Sequence, residues 1–256
     1  MRVWITGASS GIGKACALRY SALGASLVLT ASNREKLEEV AILCGGDVKV
    51  LPFDLSEPEG VENLVKEAWD AFGGLDIAFL NAGISQRTCV QDTSMEMVRR
   101  IMEVDFFAPA AIARELLPLM LASGGGNIAV TSSIAGKFGF PLRCAYSSAK
   151  HALYGFFETL QAEYSSRGIR VTIVCPGRVR TDISLRALDK GGKPHAQMDP
   201  GQAGGMSADA AARKIVRSIG KGKREVLVGR GELAMVYIKR FFPGLCARLS
   251  KKLKPV

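Results

Sequence analysis

The chain has 256 residues, of which 48% are hydrophobic and 7% are aromatic, enough apolar material for one large α/β domain. These proportions exclude a disordered protein, and no apolar run reaches the ~20 residues that a membrane-spanning helix needs. The formal net charge of +10 is concentrated at one end, because residues 230–256 contain seven basic side chains and a single acid. Since the rest of the chain is only mildly basic and has no reader motif, we expect no nucleic-acid partner.

The start of the chain and its cysteines both indicate a reducing compartment. The first residues already form a strand-like stretch, which leaves no room for a secretory signal, so we expect a cytoplasmic protein. Six cysteines are scattered along the chain without a CxxC pair or a neighbouring histidine cluster. This spacing favours free, mostly buried thiols and predicts no metal site.

Two hydrophobic patterns alternate along the chain. Short, nearly continuous apolar runs indicate strands covered on both faces, at Val3–Thr6, Ser26–Thr30, Val48–Pro52, Ile77–Asn81, Asn127–Ser132, Arg170–Cys175 and Val226–Val228. Helical spacing lies between them, at Ile12–Leu23, Arg34–Cys44, Val61–Phe72, Met95–Leu121, Tyr146–Arg167 and Ala208–Ile219. Strand–helix alternation predicts the α/β class: a single-domain Rossmann fold with a doubly wound parallel sheet of about seven strands.

Several residues predict where the helices begin, bend and end. Gly24 is expected to end the first helix, and Ser56–Pro58 to open the third. Pro109 and Pro118 lie inside the long Met95–Leu121 stretch and should bend or divide it.

A glycine-rich turn follows the first strand and opens the first helix. It reads Thr6-Gly7-Ala8-Ser9-Ser10-Gly11-Ile12-Gly13. Glycines at these positions permit a tight turn and let backbone amides approach a pyrophosphate at the start of a helix. An ordinary strand–helix corner is the alternative, but the position at the first βα junction favours a dinucleotide site.

The spacing TGxxxGxG resembles the short-chain dehydrogenase/reductase family. Further motifs of that family recur in order between residues 6 and 177, at Asp54-Leu55, Asn81-Ala82-Gly83, Ser133, Tyr146-Ser147-Ser148-Ala149-Lys150 and Pro176-Gly177. Each falls at the carboxyl end of a predicted strand or on the following helix, the edge where open α/β sheets bind ligands.

Tyr146 and Lys150 are one helical turn apart, so their side chains share a face. A phenol holds its proton too tightly to exchange it efficiently at neutral pH, and a neighbouring ammonium favours the phenolate. Tyr146 is therefore the predicted acid/base for a carbonyl–alcohol pair. The resemblance implies that Lys150 also holds the nicotinamide ribose and that the Ser133 hydroxyl binds the substrate oxygen.

The resemblance implies further cofactor contacts. Asn81, Ala82 and Gly83 would line the cofactor edge, Asp54 and Leu55 would lie near the adenine, and Pro176, Gly177 and Thr181 would close over the nicotinamide amide.

One position departs from the family pattern, because Asp105 stands where the family usually has an asparagine that supports a water-linked proton relay from the lysine. An aspartate keeps the acceptor, loses the amide donor and adds a charge, so we expect activity to survive with an altered pH dependence.

Cofactor preference is normally determined at the end of the second strand, where an acid would bind the ribose hydroxyls of NAD. This chain has Ser32, Asn33 and Arg34 there, with Ser9 and Ser10 nearby. These residues favour NADP(H), with NAD(H) as the alternative, although NADP-preferring relatives often place an arginine at the position of Ser32.

Two segments lie outside the alternation. Residues 184–206 are rich in Gly, Pro and polar residues, which predicts a substrate loop. With Ile84, Phe138, Phe140 and Met206 as expected wall residues, an apolar ketone or aldehyde is favoured. Residues 230–256 mix aromatic and aliphatic residues with cations, and are treated as an extension of a catalytic domain at 1–229. The extension either contacts an anionic membrane surface or packs on the body or on a subunit interface.

Three functions compete on the sequence alone. The favoured one is an NADP(H)-dependent carbonyl reductase or alcohol dehydrogenase that acts on a small molecule, and the family prior is a homodimer or homotetramer. An epimerase or dehydratase of the longer related family would usually have a different glycine spacing and a larger C-terminal domain. A scaffold that binds nucleotide without turnover is the third, and only Asp105 argues for it.

Overall fold

The protein is described by a computed structural model over residues 1–251. Seven parallel strands form the main sheet in the order β3-β2-β1-β4-β5-β6-β9. They are β1 (Arg2–Thr6), β2 (Ser26–Thr30), β3 (Val48–Val50), β4 (Ile77–Leu80), β5 (Gly126–Thr131), β6 (Ile169–Pro176) and β9 (Glu225–Val228). A short parallel pair, β7 (Val179–Arg180) and β8 (Met206–Ser207), lies apart from this sheet. The predicted doubly wound Rossmann fold is confirmed.

Helices cover both faces of the sheet. They are α1 (Gly11–Ser21), α2 (Arg34–Cys44), α3 (Val61–Asp70), α4 (Met95–Met102), α5 (Ala108–Ala122), α6 (Cys144–Tyr164), α7 (Pro200–Ala203), α8 (Ala208–Gly220), α9 (Ala234–Phe241) and α10 (Pro243–Ser250). The larger core cluster joins α3, α5 and α6 to one face, and a second joins α1, α2 and α8 to the other. Because the central strands have apolar side chains on both sides, they read as continuous hydrophobic runs.

The long stretch from Met95 is divided, but not where the prolines predicted. A five-residue π-helical turn, Glu103–Phe107, separates α4 from α5. Pro109 follows this turn directly, as the second residue of α5, and Pro118 lies inside the same helix. The division is instead centred on the fully buried Asp105. Its carboxylate accepts a hydrogen bond from the backbone N–H of Ile84 at 2.7 Å.

The third helix begins at Val61 as its helical spacing predicted, but the opening signal expected at Ser56–Pro58 was wrong. Ser56 does not cap α3, because its amide and hydroxyl both donate to the Asp54 carboxylate, at 2.9 and 2.8 Å. The helix begins at Val61, after Gly60 with φ of +91°. Asp54 and Ser56 therefore form a local turn directly after the third strand.

The two irregular segments are both anchored. In the loop of residues 184–206, Leu188 makes bridges to Gln86 and Pro194. In the extension, α9 and α10 pack on the body through a cluster in which Cys246 is buried against Ile134 and Phe138. The packing alternative for the tail is thus realised in part, and residues 252–256 of the predicted extension lie outside the described residues.

Candidate active site

A cleft of about 390 Å³ lies at the carboxyl ends of the central strands. Most of the sequence-predicted site residues line it: Gly7, Ser9, Ser10, Gly11, Ile12, Ser32, Asp54, Leu55, Asn81, Ala82, Gly83, Ser133, Tyr146, Lys150, Pro176, Gly177 and Thr181. Four others do not, namely Gly13, Asn33, Arg34 and Asp105. The cleft thus unites motifs that are far apart in the sequence at the edge where open α/β sheets bind ligands.

The glycine-rich turn is held by close backbone packing. Gly7 has φ of +66°, and a Cβ there would lie 2.8 Å from the Cα of Ala82. Gly13 packs against the carbonyl oxygen of Gly7 so closely that no side chain fits between them. These contacts leave the first amides of α1 at the cleft, and unpaired amides with a positive dipole end suit a phosphate. The turn therefore fits the pyrophosphate of a dinucleotide.

Asn81 connects three neighbouring strands. Its side-chain amide donates to the Thr6 carbonyl at 3.2 Å, and its oxygen accepts from the Thr131 hydroxyl at 3.1 Å. The Thr6 hydroxyl also accepts the backbone amides of Asn81 and Ala82, at 3.0 and 3.1 Å. The asparagine therefore fixes the ends of β1, β4 and β5 relative to one another. These three strand ends form the floor of the cleft.

Lys150 is buried beside Asp105. Its ammonium donates to the Thr131 carbonyl at 2.9 Å and lies 3.0 Å from the Asp105 carboxylate, and the two side chains are 3% and 0% exposed. Gly83 makes this approach possible, because a Cβ there would lie 3.1 Å from the carboxylate and 3.3 Å from the ammonium. An ammonium has three donors, so one N–H remains available to a cleft ligand.

Burial raises the pKa of the Asp105 carboxyl above its usual range. The Lys150 ammonium and the Ile84 amide act in the opposite direction. The 3.0 Å separation is that of a salt bridge, and burial is the cost that opposes the charge of its carboxylate. The sequence put the relay of the family in question at this position, and the structure has Asp105 in direct contact with Lys150.

Tyr146 and Ser133 line the same cleft as Lys150. Tyr146 is 7% exposed, and the Lys150 ammonium lies 5.6 Å from its ring centre. The Ser133 hydroxyl accepts the amide of Ala135 at 3.1 Å and makes a long contact of 3.4 Å to the Pro176 carbonyl. Its proton is therefore only weakly engaged and can turn toward a ligand oxygen.

The end of β2 differs in part from the prediction. Ser32 lines the cleft, but the Asn33 side chain caps α2 by accepting the amide of Lys36 at 2.8 Å. Arg34 is exposed and lies 3.6 Å from Glu38, one helical turn further on. Asn33 is therefore committed to the helix, while the long side chain of Arg34 is held only by a solvent-exposed contact of small energy.

Arginines in the cleft were missed by the sequence analysis. Arg87, Arg143 and Arg186 all line it. Arg186 belongs to the predicted substrate loop and reaches the Ser10 hydroxyl of the glycine-rich turn at 3.3 Å. No motif marks these residues, although Arg143 stands only three positions before Tyr146 and could have been suspected on that ground.

The expected apolar wall is divided between two spaces. Ile84 lines the main cleft, whereas Phe138 and Phe140 line a smaller adjoining cavity that shares Ser133 and Arg143 with it. Met206 was predicted wrongly as a wall residue, since it packs against the core beneath α8.

The extension also contributes to the smaller cavity, through Glu232 and Met235. Glu232 accepts the amide of Arg178 at 2.7 Å, and a Cβ on Gly177 would lie 2.5 Å from the same carboxylate. The extension therefore touches the backbone that closes the cleft.

Comparison with known proteins agrees with this geometry. The family model described as short chain dehydrogenase matches residues 1–190. Dehydrogenase/reductase SDR family member 7B of Mus musculus is 37% identical over 255 residues, covering 96% of this chain and 79% of the mouse protein. The Drosophila melanogaster protein named dehydrogenase/reductase SDR family protein 7-like is 36% identical, covering 93% of this chain and 75% of its own length.

Two solved structures resemble the fold. A short-chain dehydrogenase/reductase from Burkholderia phymatum, solved with NAD, has a TM-score of 0.84 at 24% identity and covers 100% of this chain and 96% of its own. An alcohol dehydrogenase from the archaeon Thermococcus sibiricus, solved with 5-hydroxy-NADP, has a TM-score of 0.76 at 27% identity, with coverages of 90% and 96%.

The chain belongs to the short-chain dehydrogenase/reductase family and is an oxidoreductase with a nucleotide-binding Rossmann fold. Within residues 1–251, no group of histidine, cysteine and acidic side chains is arranged to hold a metal ion. The same part of the chain has no helix that is both long and apolar enough to cross a membrane.

Proposed function

We propose that the protein is an NADP(H)-dependent reductase or dehydrogenase that interconverts a carbonyl and an alcohol on a small molecule with an apolar part. The observation that carries this proposal is the convergence of Tyr146, Lys150 and Ser133 in the cleft that also contains the glycine-rich turn. A nicotinamide cofactor, when bound, supplies or accepts the hydride at the substrate carbon. The chain itself has to bind both molecules and move one proton.

Each of the three side chains has a separate role in this proposal. Tyr146 gives a proton to the carbonyl oxygen in reduction and takes it from the alcohol in oxidation. Ser133 donates a hydrogen bond to the same oxygen, for which its weakly engaged proton is suited. Lys150 uses its remaining N–H to bind the ribose of the cofactor, and its charge favours the phenolate of Tyr146. Asp105 contacts the Lys150 ammonium and holds it in position.

The residues at the end of β2 favour NADP(H) over NAD(H). An acid there would repel a 2′-phosphate, and this chain has Ser32 on the cleft wall instead. Arg34 is close enough in sequence to turn toward the phosphate, because only an exposed contact to Glu38 holds it. Ser9 and Ser10 line the neighbouring part of the cleft and offer hydroxyl donors.

Fluorescence titration with NADPH and NADH tests the cofactor assignment. We expect tighter NADPH binding and a loss of that preference in Arg34→Ala and in Ser32→Asp, which restores an acid. Arg213→Ala is the matched control, because Arg213 is also exposed on a helix beside an acid one turn away. Tighter NADH binding by the unchanged protein would overturn the assignment and favour an NAD-dependent alcohol dehydrogenase. Absence of binding by both cofactors would overturn the proposed reductase, and binding without turnover would favour the non-catalytic nucleotide-binding scaffold.

We propose in addition that the extension contacts a membrane surface. Tyr237, Phe241, Phe242 and Leu245 are between 46% and 65% exposed on α9 and α10, although the opposite side of these helices is packed on the body. Lysines and arginines flank them, and this combination suits an anionic interface. Binding to vesicles that contain phosphatidylserine, and its loss in Phe241→Ser/Phe242→Ser, is the expected result. Equal sedimentation of both proteins with the vesicles would argue against it.

The remaining organisation is proposed on the same basis. Residues 1–229 form the dinucleotide-binding and catalytic domain, and residues 230–256 form the extension. A homodimer or homotetramer is supported by Met95 on α4 and by Phe107 at the end of the π-helical turn, which are 60% and 50% exposed. Light scattering of the purified protein tests the assembly, and a monomeric mass would refute it.

The protein is expected in the cytoplasm, peripheral to a membrane.

A further inference from the structure

Two arginines share one buried aspartate beside the catalytic tyrosine. Both oxygens of Asp199 accept from Arg87, at 3.2 and 2.5 Å, and one of them also accepts from Arg143 at 3.0 Å. The side chains of Arg87 and Asp199 are 2% and 4% exposed. Arg87 and Arg143 both line the cleft that contains Ser133 and Tyr146. The cluster is therefore part of the site, although no motif of the sequence marks it.

The two guanidinium groups are not equivalent. Arg87 is almost completely engaged, since it also donates to the Ser85 hydroxyl at 3.0 Å and to the Gln86 carbonyl at 2.6 Å. Arg143 has a single such bond, to Asp199, and its buried Nε has no hydrogen-bond partner within residues 1–251. Its plane lies 4.9 Å from the ring centre of Phe140. Arg143 is thus oriented by packing, with donor capacity left over.

The charges of this cluster do not balance. Asp199 compensates one of the two guanidinium groups, and the Lys150–Asp105 pair compensates itself. Arg178 is a further cation that acts on Arg143, and burial together with Arg87 lowers the pKa of Arg143 to about 10, so that it stays charged at neutral pH. Glu232 lines the smaller cavity together with Arg178 and offsets that third arginine, so one positive charge of the cluster remains. A buried cation with unused hydrogen-bond donors raises the free energy of the folded protein unless an anion pairs with it.

We propose, on the basis of the proposed carbonyl–alcohol activity, that Arg143 binds an oxyanion of the substrate, so that the substrate carries a carboxylate or a phosphate ester near its reacting carbon. The cofactor phosphates do not explain this cation, because they belong at the glycine-rich turn after β1, whereas Arg143 is three residues before Tyr146. Arg143 also lines the smaller cavity with Phe138 and Phe140, which provides room for an apolar part of the same substrate. The planar fork of an arginine suits both kinds of oxyanion.

The first experiment measures anion binding without turnover. Protein saturated with NADPH is titrated with inorganic phosphate and with acetate, and the rise in the temperature of unfolding is measured. Because the cofactor occupies its own phosphate sites, the expected stabilisation comes from Arg143 and disappears in Arg143→Met. Arg114→Met, on the exposed side of α5, removes the same charge far from the cleft and should behave like the unchanged protein. If neither anion stabilises the protein, or if Arg143→Met responds as the unchanged protein does, the inference is wrong.

The second experiment measures specificity in matched pairs. Acetoacetate is compared with its methyl ester, and hydroxybutanone phosphate with hydroxybutanone. We expect the anionic member of one pair to be preferred, and Arg143→Met to raise its KM roughly 10- to 100-fold more than that of the neutral member. Arg143→Lys, which keeps the charge and loses the fork, should give an intermediate loss. The pair that responds identifies the carboxylate or the phosphate.

The outcomes distinguish this inference from the proposed function. Reduction of the neutral member at the same efficiency, with equal losses on both members in Arg143→Met, overturns the anion subsite and leaves the reductase intact. Failure of NADPH binding overturns the reductase, and it is detected separately by the cofactor titration. Misfolding of Arg143→Met is recognised by its temperature of unfolding without ligand, and Arg143→Lys then carries the comparison.

Discussion

The salt bridge between Lys150 and Asp105 leads to a prediction about pH. Replacing Asp105 by Asn removes a negative charge next to Lys150 and keeps an oxygen that can accept the Ile84 amide. The site around Tyr146 then becomes more positive, and a more positive site favours the phenolate. With Tyr146 as the base, as proposed above, oxidation of an alcohol should therefore begin at a lower pH in Asp105→Asn.

The magnitude follows from two distances. The Lys150 ammonium lies 5.6 Å from the Tyr146 ring centre and 3.0 Å from the Asp105 carboxylate, so the carboxylate is at most about 9 Å from the ring centre. A unit charge at about 9 Å, with an effective dielectric constant of ~20, interacts by about 1.8 kcal/mol. This energy corresponds to a decrease of about 1.3 pH units in the midpoint of alcohol oxidation.

The assay is the pH dependence of kcat/KM for oxidation of the alcohol partner of an accepted ketone. Tyrosinate absorbance of the protein without substrate gives a second reading, in which Tyr146→Phe identifies the contribution of that residue. Asp182→Asn is the control, since Asp182 also lines the cleft but is 55% exposed, so solvent screens the loss of its charge. A midpoint that stays in place or rises in Asp105→Asn would show that Asp105 carries a proton in the native protein, and the electrostatic argument would fail.

Three further substitutions test the site and its support. Tyr146→Phe should lower kcat by roughly 10²- to 10⁴-fold with little change in NADPH affinity, and turnover that survives would exclude Tyr146 as the acid/base. Gly13→Ala forces a methyl group against the Gly7 carbonyl, so urea unfolding should show a loss of about 1–3 kcal/mol together with weaker NADPH binding. Thr30→Val deprives the buried Trp4 indole N–H of its acceptor at 2.9 Å, and should lower the free energy of unfolding by about 1–3 kcal/mol without altering cofactor affinity; an unchanged stability would contradict it.

The parts of this protein that could be predicted from the sequence depend on local patterns. A strand such as Ile77–Leu80 is buried on both faces, so it is apolar at every position and is recognisable without its neighbours. The glycine-rich turn is local in part, because Gly13 is required by a contact with Gly7 within one βα unit, whereas Gly7 also packs on the backbone of Ala82 after β4.

The parts that could not be predicted depend on contacts across the chain. Arg87 and Asp199 are 112 positions apart, and only the folded loop brings them within hydrogen-bonding distance. The π-helical turn at Glu103–Phe107 coincides with a bond from Ile84 to Asp105, which no helical period reveals. The role of Arg34 stays a prediction, because its side chain lies in solvent beside Glu38 and only a bound cofactor would show whether it turns toward the cleft.

Glu232 makes the C-terminal extension part of the wall of the smaller cavity, which has a practical consequence. Its carboxylate holds the amide of Arg178 and leaves no room for a side chain on Gly177. A version trimmed at residue 229, or one whose last helices are displaced by a fused tag, would lose a wall of the pocket as well as an appendage. Specificity measured on such a truncated protein would describe a different enzyme, so a purification tag belongs at the other terminus or must be removed.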